Sequence, residues 1–227
     1  MSGIVSRASP PEMFGRVGVA ILARAPIPGE AKTRLIPKLG AGGAARLQAW
    51  MLQRTVKLAL NADVGPVSLW CAGDPAHSDF ALCRTFGAVT FHSQPPGDLG
   101  VRMLAALQFA ATPEGALVIG TDCPALSAEH LRDAAKVLSE KDAVAIPAED
   151  GGYVLLGMKR TSRELFTGIE WGSAQVMAQT RQSLTTLGWH WSEPTMLWDV
   201  DRPDDVERLL DMFPDLSRIL AEKWEPV

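Results

Sequence analysis

The sequence predicts an α/β domain organised around a mostly parallel, mixed sheet. Short aliphatic runs alternate with amphipathic, helix-length segments through the first two thirds of the chain, the pattern of a parallel sheet covered on both faces. Runs such as Leu117-Val118-Ile119 are continuously apolar, as strands buried on both sides are. Asp150-Gly151-Gly152 separates two further apolar runs and reads as a hairpin or a sharp binding turn, which makes the sheet mixed.

Taken in order, residues 17–23 are aliphatic enough for a first buried strand. The segment after them carries Pro26, Pro28, Gly29 and Pro37 and is too punctuated for a long helix. Residues 44–60 place Leu47, Met51, Leu52, Val56 and Leu60 near helical spacing, with Arg46, Gln53, Arg54 and Lys57 left for a solvated face. Strands follow at 67–71 and 88–91. Asp98 is a fitting N-cap for a helix running to about 111. The next strand, with Gly120 near its end, is expected to stop at Asp122. Ser127 caps a helix that buries Leu131, Ala134, Ala135 and Leu138. Runs at 143–146 and 153–156 flank the hairpin, a helix occupies 174–187, and residues 198–201 resemble a last strand. Pro203 opens a helix at its first turn, and 216–223 forms a short terminal helix.

A chain of 227 residues without a break in composition supports one domain over 15–227, preceded by a flexible extension, 1–14. That extension lacks the apolar core of a signal peptide, and no stretch reaches the ~20 apolar residues of a membrane span. The net charge of -4, with no long basic run, argues against nucleic acid as a partner because such binding leans on phosphate neutralisation. Cys71, Cys83 and Cys123 are odd in number and form no Cys-x-x-Cys pair, which fits reduced thiols in the cytoplasm. The four histidines show no zinc spacing.

The chemistry-bearing residues fall into four groups. Arg24, Lys32, Arg34 and Lys38 concentrate positive charge after the first strand, and backbone amides around Pro28 and Gly29 would complete a cradle for a diphosphate. The segment is not a P-loop, since Pro26 and Ala31 stand at the diagnostic glycine positions; a solvated basic loop is the alternative. Asp122, at the carboxyl end of a buried strand, is placed where ligands of open α/β sheets bind. Asp199 and Asp201 would share one side of a strand of period two, and with Asp122 they would give magnesium or manganese three hard oxygen ligands; capping of the helix at Pro203 is the competing role for Asp201. Gly97, Asp98 and Arg102 form either a capped helix start or a helix N-terminus offered to a nucleotide. At Asp150-Gly151-Gly152-Tyr153 the glycines either serve the hairpin or let a sugar or phosphate lie on the backbone. Trp171 belongs to a Trp-rich segment suited to core and substrate-wall packing.

Ala25-Pro26 through Arg34-Leu35-x-Pro37, Gly97-Asp98-Leu99-Gly100-x-Arg102-Met103, Gly120-Thr121-Asp122-Cys123-Pro124, Asp150-Gly151-Gly152-Tyr153, Trp171-Gly172-Ser173 and Asp199-Val200-Asp201-x-Pro203 occur in that order. Together they resemble a bacterial glycosyltransferase-like family of nucleotide-diphospho-sugar transferases, some members of which are linked to arsenosugar biosynthesis. The family is related to the guanylyltransferases that activate phospholactate or phosphoenolpyruvate. The resemblance implies a GT-A fold, a single Rossmann-like domain, with a divalent cation (Mg²⁺ or Mn²⁺) held by Asp122, Asp199 and Asp201. It places Lys32 and Arg34 near nucleotide phosphates. Arg202 stands where relatives usually carry Thr, and only Asp122 stands where many GT-A enzymes have a full Asp-x-Asp. The expected reaction is transfer of a sugar from a nucleoside diphosphate sugar to a small-molecule acceptor, with Asp122, Lys32 and Asp150 catalytic. Gly151, Gly152, Tyr153 and Trp171 would bind substrate. The alternative is nucleotidyl transfer from a nucleoside triphosphate.

Overall fold

The computed structural model describes residues 17–221; the expected extension 1–14 lies outside them. The strands are β1 (Gly18–Arg24), β2 (Val67–Ala72), β3 (Val89–Ser93), β4 (Ala116–Ile119), β5 (Ala143–Pro147), β6 (Tyr153–Met158) and β7 (Trp191–Ser192). The helices are α1 (Ile36–Ala62), α2 (Ser78–Cys83), α3 (Leu99–Ala110), α4 (Ala128–Glu140), α5 (Val176–Thr186), α6 (Pro203–Met212) and α7 (Leu216–Ala221). One sheet holds all seven strands in the order β3-β2-β1-β4-β6-β5-β7. β3, β2, β1 and β4 run parallel, β6 is antiparallel to both its neighbours, and β7 is parallel to β5. The expected mixed sheet is the one observed.

Alternation along β1 divides the interior into two layers. Val19, Ile21 and Ala23 join Leu52 and Val56 of α1, Phe80 of α2 and Leu131 and Leu138 of α4. Ala20 faces the other way, toward Met103, Ala106 and Leu107 of α3 and Met177 and Leu184 of α5. A third cluster joins Leu47 and Met51 of α1 to Val206 and Leu209 of α6, Leu216 and Leu220 of α7, and Trp198 and Val200. That last cluster fixes the 198–201 segment against the body of the domain.

Four expectations are corrected. The first long helix begins at Ile36, not near 44: Pro37 lies in its first turn, where a missing N–H costs nothing, and Gly40 at φ +68° kinks it. Helix α2, unforeseen between β2 and β3, is too short for a helical period to stand out. β4 ends at Ile119, so Asp122 lies in the loop beyond the strand. Residues 198–201 form no strand; the segment touches the sheet through a single bridge of Leu197 to Ala148. Its Trp198 and Val200 are buried because they pack on helices. The expected caps hold: Asp98 accepts from the Val101 amide and Ser127 from the His130 amide. At α6, Asp205 accepts from the amides of Asp201 and Arg202, so neither of those residues supplies the cap.

Candidate active site

The site is a cleft of about 710 Å³ across one edge of the sheet, where the carboxyl ends of β1 and β4 meet the start of β6. Its placement follows from topology, since a mostly parallel sheet opens crevices at its carboxyl edge. The antiparallel β6 brings Tyr153 to the same edge.

Two distant segments meet at Asp122. The Val200 amide donates to the Asp122 carbonyl at 2.8 Å. Lys32 Nζ donates to the Val200 carbonyl at 2.6 Å and sits 2.7 Å from Asp122 Oδ1. The Lys32 side chain is 5% exposed, against 53% for Asp122, so the ammonium is held inside while the carboxylate faces the cleft. Lys32 adopts a left-handed backbone, φ 49° and ψ 44°, a conformation that costs a non-glycine residue about 1–2 kcal/mol. The two bonds at its tip offset that strain. Behind Asp122, buried Gln48 donates to Thr121 Oγ1 at 3.1 Å, and that hydroxyl donates to Asp122 Oδ1 at 3.3 Å. Arg34 pairs with Asp201 at the cleft rim.

Asp199 is the most perturbed carboxyl of the cleft. Burial pushes it up to about 6, with the Asp150 and Asp122 charges adding to the effect. Asp150 is organised by its own turn: its Oδ1 accepts from the Gly152 amide at 2.8 Å. Tyr153 donates only to Met103 Sδ, at 3.6 Å, and burial lifts its phenol well above the ordinary range. Cys123 lines the cleft, but burial pushes its thiol up to about 12. It stays protonated at neutral pH and is no nucleophile. All three cysteines are free and buried.

Several expected residues line the cleft together: Lys32, Arg34, Arg102, Asp122, Asp150, Gly152, Tyr153, Trp171, Asp199 and Asp201. Others do not. Pro28 and Gly29 lie outside the lining, in a turn whose Ile27 carbonyl accepts from Glu30 and Ala31. Gly97 and Asp98 are spent on the α3 cap. Gly151 lacks a side chain for packing rather than for ligand: a Cβ there would lie 2.2 Å from the Ala174 carbonyl oxygen, and the Met177 amide donates to its carbonyl. The metal triad is not assembled as expected. Among the described residues no three His, Cys, Asp or Glu side chains are gathered to hold an ion. Although 198–201 is no strand, Trp198 and Val200 are buried while Asp199 and Asp201 both line the cleft, and Lys32 and Arg34 already pair with Asp122 and Asp201. The donor chemistry still suits a hard cation, since half-buried Asp199 feels the charges of Asp150 and Asp122.

Sequence reasoning missed Gln48, Gln94, Leu99 and Met103, all of which line the cleft. Gln94 Nε2 donates to the carbonyls of Ala23 at 3.1 Å and Trp70 at 2.9 Å, joining the ends of β1 and β2. A glutamine in mid-helix or in a loop carries no local signal of such a role. The position of Met103 on the inner face of α3 was legible, but its place beside the cleft was not.

A family model described as "Uncharacterized protein conserved in bacteria" (DUF2064) matches residues 55–173. No curated protein matches the chain. Among solved structures, a candidate nucleotide-diphospho-sugar transferase from Desulfovibrio desulfuricans G20 is similar at 23% identity and a TM-score of 0.77, covering 89% of this chain and 95% of that one. A nucleotidyl transferase from Methanothermobacter thermautotroptrophicus is similar at 16% identity and a TM-score of 0.57, covering 88% and 99%. A 4-diphosphocytidyl-2C-methyl-D-erythritol synthase from Anaerococcus prevotii is similar at 10% identity and a TM-score of 0.53, covering 87% and 96%. At these identities the likeness establishes the fold, that of nucleotide-diphospho-sugar transferases. No helix among the described residues is long and apolar enough to cross a membrane.

Proposed function

The chain belongs to the DUF2064 family, and from that premise we propose that it is a metal-dependent glycosyltransferase. It would move a sugar from a nucleoside diphosphate sugar to a small acceptor. The observation that carries the reading is the meeting of Lys32 and Arg34 with Asp122, Asp199 and Asp201 in one cleft at the strand ends. Lys32 and Arg34 would bind the diphosphate and share the negative charge that grows on the leaving nucleotide. Asp122 and Asp199 would hold a divalent cation, with Asp201 joining them if it leaves Arg34. Bound there, Mg²⁺ or Mn²⁺ would neutralise the same oxygens. Asp150 would orient the acceptor hydroxyl and take its proton. The new bond joins the acceptor oxygen to the anomeric carbon, the bond from that carbon to the diphosphate oxygen breaks, and the nucleoside diphosphate leaves.

A second reading is guanylyltransferase-like nucleotidyl transfer, in which an acceptor phosphate attacks a nucleoside triphosphate and pyrophosphate leaves. It draws on the fold shared with the nucleotidyl transferase and the diphosphocytidyl synthase.

Thermal unfolding against nucleoside diphosphates, triphosphates and nucleotide sugars, each with and without Mn²⁺, tests both. A ligand at about 100 times its dissociation constant adds roughly 2.7 kcal/mol, which raises the midpoint of a domain this size by several degrees. Metal-dependent stabilisation by a nucleotide sugar is the expected result. A response confined to a triphosphate shifts the reading to nucleotidyl transfer, and no response to any nucleotide overturns both.

A further inference from the structure

The two walls of the cleft differ in charge. Its four cationic lining residues, Arg24, Lys32, Arg34 and Arg102, lie on the end of β1, the loop after it and the first turn of α3. The wall from Ala148 to Val176 supplies Tyr153, Trp171 and Val176 and one carboxylate, Asp150, but no lysine, arginine or histidine. Leu99 and Met103 of α3 extend that surface, Leu99 at 44% exposure. The Tyr153 hydroxyl is spent on a thioether. Trp171 is stacked on Phe166, with ring centroids 6.5 Å apart, and lies so close to α3 that a Cβ on Gly100 would come within 2.7 Å of its ring. The 148–176 wall is therefore tightly packed, and its one charged side chain is the Asp150 carboxylate; the cations of the lining stand on other elements, Arg102 among them on α3.

Resting on the transferase reading above, we infer that this half of the cleft receives an uncharged acceptor. The acceptor lays an apolar face on Trp171, Tyr153 and Met103 and turns its hydroxyl toward Asp150. A phosphorylated acceptor is disfavoured there: its charge would lose water without gaining a cation from the 148–176 wall and would face Asp150. An apolar face gains by burial on the aromatic rings instead. The inference separates the two proposed reactions, because nucleotidyl transfer requires an acceptor phosphate.

Three probes test it on the full chain without nucleotide: methyl β-D-glucoside, phenyl β-D-glucoside and phenyl β-D-glucoside 6-phosphate, titrated by saturation-transfer NMR. The phenyl glucoside should bind several-fold more tightly than the methyl glucoside and at least tenfold more tightly than the 6-phosphate. S173R, which adds a cation to this wall at a residue lining the cleft, should narrow the gap between the neutral and phosphorylated probes. Equal binding of methyl and phenyl glucosides overturns the apolar wall, as does absence of binding by both. A 6-phosphate that binds wild type as well as the neutral probe overturns the exclusion of charge. Nucleotide titration of the same protein with Mn²⁺ is read separately: its failure removes the transferase reading, whereas probe failure with intact nucleotide binding removes only the acceptor inference.

Discussion

The two halves of the cleft are built by opposite means. On the β1 side a loop is held in a strained backbone by ionic bonds: Lys32 spans Asp122 and the Val200 carbonyl, and Arg34 meets Asp201. On the β6 side the wall is set by close packing against glycine, Trp171 on Gly100 and Ala174 on Gly151. Ion pairs can exchange partners when a phosphate or a cation arrives, whereas packed rings cannot move without opening a gap. Under the proposed reaction, the charged half would bind and release the nucleotide and the packed half would hold the acceptor.

Three substitutions sharpen that contrast. Lys32→Ala should weaken nucleoside diphosphate binding by about 1.5–3 kcal/mol, the range for a lost charge-assisted bond, in calorimetric titration. Unchanged affinity would reduce Lys32 to an internal ion-pair partner. Gly100→Ala tests the packed half by stability. In an open helix the change would gain about 0.5–1 kcal/mol, but with the Trp171 ring in the way it should cost about 1–3 kcal/mol in chemical denaturation. A stabilised variant would show that Trp171 swings aside freely.

The smallest effect concerns the outer support of α5. Arg181 grips Glu193 through two bonds, 2.9 and 2.6 Å, which hold the Glu193 carboxyl below its usual value, helped by the Trp191 indole. A depressed carboxyl adds stability above its unfolded pKa and loses it as pH falls through the folded one. Glu193→Gln should thus cost about 0.2–1 kcal/mol at neutral pH. The difference from wild type should fade in denaturation series run below about pH 4. A gap of constant size across that range would mean that packing, not charge, holds the contact.

Much of the fold was legible because it depends on short-range chemistry. The aliphatic runs marked β1, β2 and β4, Asp98 and Ser127 marked their helices, and Asp150-Gly151-Gly152 marked the β5–β6 hairpin. Lys32, Asp122 and Asp150, each singled out in the sequence, line one cleft. The reading failed where tertiary contacts override local pattern. Trp198-Asp199-Val200-Asp201 has the alternation of a strand, yet it forms none: its apolar residues pack on helices, and its two aspartates face the cleft from a loop. Gly97, Asp98 and Gly151 carried two readings each, and the structural one is seen at Asp98, which caps α3, and at Gly151, which packs against Ala174.

By itself, then, the sequence determined the layered α/β architecture, the helix caps and the set of charged residues available at the carboxyl edge, since periodicity and turn chemistry act over a few residues. The tertiary structure decided which of those charges meet. Lys32 and Val200 are 168 positions apart, and Trp171 finds Gly100 only because α3 and the segment leading into α5 lie on the same side of the sheet. Such pairings depend on strand order and layer packing, which no local pattern encodes.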